Sequence, residues 1–422
     1  MFLFKVIFLC SIFILASCSM TKTNNNNFYV YNKNNSITKS NKRLNALLSV
    51  KGPNVLPIYV STGLHKKTSC SYVNMPCTTI KICYPSKRLL CQTIKNILVD
   101  TGSTGLRIYS SKLKLNLPEF KENGKEIGIC TFFGIQNVTR KIIWGHIATA
   151  KLMLGKETTP AIPIEIIDRN FYQQYSKNSK VQNPACGKLS DDEKTLMKEK
   201  HVLYNGILGV GFSKYDLIDY YYCSSNNCSV KHGKFNNPIV NPITTLKKDN
   251  NGIIFVMPTK DAVNNGKQGK LILGIQTRKN NTEEFGVYKA YSLCSWCLGY
   301  INEKVNGNIS SVLIDSGTNF IYYNTNKKKN NKVIKIKFIP NDPEVTRSVI
   351  YSYLRINSVT KNNLPAVNFN VLKTENNNID SIVLGFPWFY GKAVGIIFRD
   401  KNSAYGSGPA YLFNDFKSKN MF

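Results

Sequence analysis

The chain has 422 residues, 42% of them hydrophobic, which sets it among globular proteins with room for two domains. Its formal net charge is +31, from 56 Lys and Arg against 25 Asp and Glu. Most of that charge is lysine scattered among asparagines. With no dense arginine–aromatic stripe, the pattern excludes a nucleic-acid role and fits a solvated basic surface or attraction to anionic lipid or glycolipid surfaces.

Residues 1–18 read as a targeting segment. Lys5 is a short basic region, and Val6 to Leu15 is an apolar run too short to span a membrane as a stable helix. The run closes on Leu15-Ala16-Ser17-Cys18, which resembles the bacterial lipobox. That resemblance implies lipidation of Cys18. With Ser19 following, it also implies an exported lipoprotein held at the outer membrane, on the periplasmic face or the cell surface. An ordinary cleaved signal peptide is the plainer alternative. Residues 19–50 are rich in Asn, Ser, Thr and Lys and contain no acid. This composition predicts a flexible tether, the alternative being a propeptide that lays its lysines over acidic groups.

Ten of the twelve cysteines remain once Cys10 and Cys18 are set aside. An even number in an exported chain predicts disulfides, with Cys223–Cys228 and Cys294–Cys297 as local pairs. Cys223, Cys228 and His232 are spaced like metal ligands, but no second pair completes a four-ligand site, so no metal is expected. Beyond Val50, short apolar runs broken by Gly, Pro and Asn predict an all-β protein, with strands over Ile143–Leu154 and Ile162–Ile167. Leu189 to His201 is the one predicted helix, with Ser190 and Glu193 as a capping box. Trp144 is expected to be a buried structural residue.

Two stretches repeat each other. Ile97-Leu98-Val99-Asp100-Thr101-Gly102-Ser103-Thr104 and Val312-Leu313-Ile314-Asp315-Ser316-Gly317-Thr318-Asn319 each run as a buried strand into Asp, a hydroxyl residue, Gly and a second residue able to hydrogen-bond. A carboxylate at the end of a buried strand is costly unless hydrogen bonds surround it. Thr101, Ser103, Ser316 and Thr318 supply candidates, and Gly102 and Gly317 let backbone come close. Each loop is followed later in its own half by an apolar strand ending in glycine, Tyr204 to Gly211 and then Ile382 to Pro387. A unit that occurs twice predicts a duplicated fold in which Asp100 and Asp315 meet.

These motifs resemble the pepsin-like aspartic proteases over roughly Lys51 to Phe413. Asp100-Thr101-Gly102-Ser103 and Asp315-Ser316-Gly317-Thr318 match that family's two active-site loops. Asn205 to Gly209, Leu384-Gly385 and Gly269 to Gly274 match its supporting strands. The chain is also similar to a group of exported bacterial proteins sharing the Val-Asp-Thr-Gly-Ser loop and the Asn-Pro and Phe-Tyr-Gly segments. The resemblance implies an all-β bilobal fold, with one lobe over 51–246 and the other over 247–422 and the active-site cleft between them. It implies a membrane-anchored, monomeric aspartic endopeptidase acting on peptides or proteins without a cofactor.

By the same resemblance, Asp100 and Asp315 activate a water between them, while Thr101, Gly102, Ser103, Ser316, Gly317 and Thr318 support the pair. Phe132 and Phe133 belong to the flap candidate, Cys130 to Ile135. Arg107 stands where the family carries a flap-bonding tryptophan, which predicts a cleft cation that lowers the carboxylate pKa values unless desolvation wins. The alternative reading is a pepsin-fold protein that binds peptide or a surface partner without cutting.

Overall fold

The structure is a computed structural model. It describes residues 42–61, 70, 73–86, 90–133, 141–168, 170–171, 204–216, 218, 220–224, 227–230, 239–282, 286–289, 301–305, 308–324, 333–338, 350–355 and 381–413. The expected signal peptide with Cys18, the helix over Leu189–His201 and the Cys294–Cys297 pair lie outside the described residues, as do Gly134 and Ile135. What is described is mostly strand with short helical turns, so the all-β expectation stands.

The first half supplies β1 (Val55–Val60), β2 (Pro76–Cys83), β3 (Cys91–Asp100), β4 (Thr104–Tyr109), β5 (Lys121–Glu122) and β6 (Lys125–Phe133). β7 (Lys141–Leu154), β8 (Glu157–Thr158), β9 (Ile162–Ile167), β10 (Gly206–Val210), β11 (Tyr220–Ser224) and β12 (Asn227–Val230) follow. The predicted strands over Ile143–Leu154 and Ile162–Ile167 are β7 and β9, paired antiparallel, with Trp144 buried on β7. β3 carries Asp100 at its end. It runs parallel to β10, with Val99 beside Leu208 and Asp100 beside Gly209. β10 in turn pairs antiparallel with β4.

The second half repeats that arrangement. It contains β13 (Gly252–Val256), β14 (Gly269–Leu273), β15 (Gly286–Lys289), β16 (Ile301–Val305), β17 (Asn308–Ile314), β18 (Tyr322–Asn324), β19 (Val333–Phe338) and β20 (Ile350–Arg355). β21 (Ser381–Leu384), β22 (Ala393–Ile397), β23 (Asn402–Ser403), β24 (Gly406–Ser407) and β25 (Ala410–Phe413) complete it. β17 leads into Asp315 and runs parallel to β21, with Ile314 beside Leu384. β18 then pairs antiparallel with β21, as β4 does with β10. The Asp-bearing strand and its glycine-ended partner, inferred from the sequence repeat, are therefore present twice, each time with a third strand antiparallel to the partner.

A further antiparallel sheet, in the order β1, β14, β13, β22, β25, β15, joins the start of the chain to its end. Side chains alternate across a strand, and this sheet divides cleanly by parity. Ile253, Phe255, Leu271, Leu273, Ile396 and Tyr411 face the main core, which also holds Val99 and Ile314 from the two Asp-bearing strands. Ile254, Val256, Ile272, Ile397 and Leu412 face the other way, against Leu44 and Leu47.

Those two leucines correct the expectation of a tether through residue 50. Residues 42–49 form a helix, and Leu44 and Leu47, three apart on one helical face, are buried on the sheet. A fully buried leucine contributes about 1.5–3 kcal/mol, enough to hold a helix that its short length alone would leave frayed. The helix covers the sheet face opposite the one that supports the Asp strands, so residues 42–49 do not lie over the aspartates.

Disulfides join Cys70 to Cys77, Cys83 to Cys91 and Cys223 to Cys228, and Cys130 is disulfide-bonded as well. The expected Cys223–Cys228 pair closes the hairpin of β11 and β12, where the two residues are direct cross-strand neighbours. Bonded sulfurs are not thiolate ligands, which removes the zinc-like reading of that pair.

Candidate functional site

The two Asp loops face each other. Thr101 Oγ1 donates to Ile314 O at 2.9 Å and accepts from Ser316 N at 2.9 Å. Ser316 Oγ donates to Val99 O at 2.7 Å and accepts from Thr101 N at 3.0 Å. Each hydroxyl thus bonds the backbone of the opposite loop twice, and both residues are buried. Four buried bonds across a two-fold-like junction fix the loops against each other far more tightly than packing alone.

The carboxyl groups are held in the same symmetric way. Gly102 N donates to Asp100 Oδ1 and Gly317 N to Asp315 Oδ1, each at 2.8 Å. Ser103 Oγ donates to Asp100 Oδ2, and Thr318 Oγ1 to Asp315 Oδ2. The glycines are required by proximity. A Cβ on Gly102 would lie 2.7 Å from Asp315 Oδ1, and one on Gly317 would lie 2.5 Å from Asp100 Oδ1. Each loop's glycine therefore sits directly beside the other loop's carboxylate. All eight residues expected at the paired loops are brought together.

Asp100 is buried, only 5% exposed. The Asp315 carboxyl is pushed well above the ordinary carboxylate range, first by desolvation, then by the charge of Asp100 and a side-chain hydrogen bond with it. The bonds from Thr318 and Gly317 N pull the other way and do not prevail. Two carboxyls in hydrogen-bonding contact disfavour a second negative charge, which is part of why Asp315 holds its proton tightly. Such a pair can act at once as proton donor and proton acceptor.

The family described as Protein of unknown function (DUF3443) matches residues 50–413. The chain belongs to this family. No curated protein matches the chain.

In this DUF3443 protein Arg107 departs from expectation. It is fully buried rather than a cleft cation, because its charge is taken up inside. Nε lies 2.8 Å from Glu165 Oε2 and Nη2 lies 3.2 Å from Asp216 Oδ2, while Nη1 donates to Thr104 O at 2.7 Å. Burial and the charge of Asp100, with no part for Arg107, raise Asp315, so desolvation wins over the expected lowering. The guanidinium does reach the strand of the flap candidate, lying 5.3 Å from the ring centroid of half-buried Phe133. Phe132 is on the same strand, paired with Ile142.

Sequence reasoning passed over Glu165 and Asp216. Burial raises Glu165 to about 8 and Asp216 to about 7, against the opposing pull of Arg107. The signal was a lone acid inside the apolar run Ile162–Ile167, a position that demands a buried partner. Asn74 was also missed. It sits at φ 59°, accepts from Tyr390 Oη at 2.9 Å and donates to Asn319 O at 3.2 Å. It thereby links a first-half turn to the residues just after the second Asp loop.

Proposed function

We propose that this chain is an aspartic endopeptidase with a bilobal, pepsin-like arrangement of its two repeated units. The observation that carries the reading is the pair of cross-bonded Asp loops, in which each hydroxyl residue fixes the opposite backbone and each glycine meets the opposite carboxylate. A site for metal or a nucleophilic serine would not need this symmetry, whereas two carboxyls that share a proton do.

In the proposed reaction one carboxylate of the pair takes a proton from water while the protonated partner hydrogen-bonds the scissile carbonyl oxygen. The water oxygen adds to the carbonyl carbon as the protonated partner gives its proton to the carbonyl oxygen, which forms a tetrahedral diol. The proton taken from water then passes to the amide nitrogen as the C–N bond breaks, while a diol hydroxyl gives its proton back to the other carboxylate, so the pair again holds one shared proton. Asp100 and Asp315 are the two members of this pair, one serving as proton donor and the other as base. The substrate is an extended peptide or an unfolded protein. The enzyme acts as a monomer at the outer membrane, held by lipidated Cys18.

The test is digestion of an unfolded protein and a peptide library from acid to neutral pH, with and without a statin-type mimic of the diol. Cleavage that the mimic blocks is expected. Binding of extended peptide with no cleavage at any pH would replace the endopeptidase with a peptide-binding protein of the same fold. Anchoring is tested separately by mass spectrometry of the N-terminal peptide of protein made in a bacterium, where an unacylated start would overturn the lipoprotein assignment.

A further inference from the structure

Arg107 lies at the centre of a buried cluster drawn from separate stretches of the first half. It belongs to β4, only a few residues after the loop that holds Asp100, and it bonds the carbonyl of Thr104 at the start of that strand. From β9 comes Glu165 and from the segment before β11 comes Asp216. Asp216 Oδ1 accepts from Tyr220 Oη, whose oxygen also accepts from Ile239 N at 3.3 Å. Tyr220 opens β11, which hydrogen-bonds β6 with Tyr220 beside Ile129. Farther along β6, Phe133 presents its ring to the guanidinium.

The cluster therefore grips β6 at two places, through Tyr220 on the neighbouring strand and through Phe133 directly. Arginine suits this task because its planar fork bonds in several directions at once and its face stacks on a ring, which lysine cannot reproduce.

We propose that Arg107 is a positioning residue that ties the β6–β7 strand pair to the wall carrying Asp100, with Asp216 as its counter-ion and Glu165 as a second carboxyl partner. The charge count supports it. One guanidinium faces two carboxyls in the interior, so neutrality requires one of them to keep its proton. Glu165 suits that role, since neither of its oxygens has a well-aligned hydrogen bond although Oε2 is close to Arg107, whereas Asp216 accepts from both Arg107 and Tyr220. The groups that titrate within the cluster are Glu165, Asp216 and Tyr220, with Arg107 as the fixed cation. The kinetic consequence rests on the endopeptidase reading, whereas the structural one does not.

The experiment measures amide hydrogen exchange in Arg107→Lys and Arg107→Met, strand by strand, with β13 and β22 as internal controls. Lysine keeps the charge and the stem, so it guards against a methionine variant that fails to fold. Exchange in β6 and in residues 141–146 is expected to quicken by tenfold or more in both variants while β13 and β22 stay as in the wild type. Glu165→Gln, which keeps shape and neutrality, is expected to leave β6 protected. For peptide cleavage, KM is expected to rise in Arg107→Lys more than kcat falls, since the pair of aspartates is untouched. Unchanged exchange in β6 would overturn the proposal, and so would equal loosening of every strand, which marks Arg107 as a general stabiliser. If the wild type cuts nothing, the exchange result still decides the role of Arg107 and the failure belongs to the endopeptidase reading alone.

Discussion

Thr101→Val tests the junction between the two Asp loops with little change of shape. Valine keeps the volume of threonine and removes only Oγ1, which donates to Ile314 O and accepts from Ser316 N. Depriving a buried polar group of its partner costs about 1–3 kcal/mol, so losing two such bonds is expected to cost about 2–6 kcal/mol. Ser316→Ala strips the matching pair, Val99 O and Thr101 N. It is expected to cost at least as much, because Ile314 O retains a bond from Tyr411 Oη at 3.4 Å. Urea unfolding at fixed pH reads both losses as midpoint shifts without a change of slope. The double variant is expected to depart from additivity by about 0.5–3 kcal/mol, since each side chain bonds the other's backbone. Losses below about 0.5 kcal/mol, or strict additivity, would refute the claim that these bonds lock the loops.

Gly317→Ala is expected to disturb the pair without unfolding the chain, since its Cβ would lie 2.5 Å from Asp100 Oδ1; loss of peptide cleavage with an intact circular dichroism spectrum checks it. Leu47→Ala removes a fully buried side chain from the helix over residues 42–49 and is expected to cost about 2–5 kcal/mol in urea unfolding. Stability is expected to fall as pH rises. Glu165, at about 8 against an ordinary 4.5, holds its proton more tightly folded than unfolded. The stability it contributes is complete below pH ~4 and is lost progressively up to pH ~8. A series of urea midpoints across that window checks the slope, which Glu165→Gln is expected to flatten.

The paired loops were legible in the sequence because the same unit is written twice. An apolar strand, an Asp, a small hydroxyl residue and a glycine recur with their glycine-ended partner strands, and each choice has one physical reason that the geometry repeats. Arg107 was not legible in the same way. Its partner Asp216 is 109 positions away, and only parallel pairing of β4 with β9 puts Glu165 directly beside it. A cation near an active-site motif reads naturally as solvent-facing until tertiary pairing shows it enclosed. The helix over residues 42–49 was hidden by averaging. Leu44 and Leu47 are two apolar residues at the end of an Asn- and Lys-rich stretch, and their value appears only once a sheet face is there to receive them.

The most direct test of the central claim is the peptide cleavage rate of Asp100→Asn, Asp315→Asn and the double variant, measured across acid to neutral pH. If the two carboxyls work as one acid–base pair, either single change removes that pair. Each is then expected to lower kcat by several orders of magnitude, with the double variant little worse than either alone. A single variant that keeps substantial activity, or a double variant whose loss is the product of two modest ones, would contradict the account.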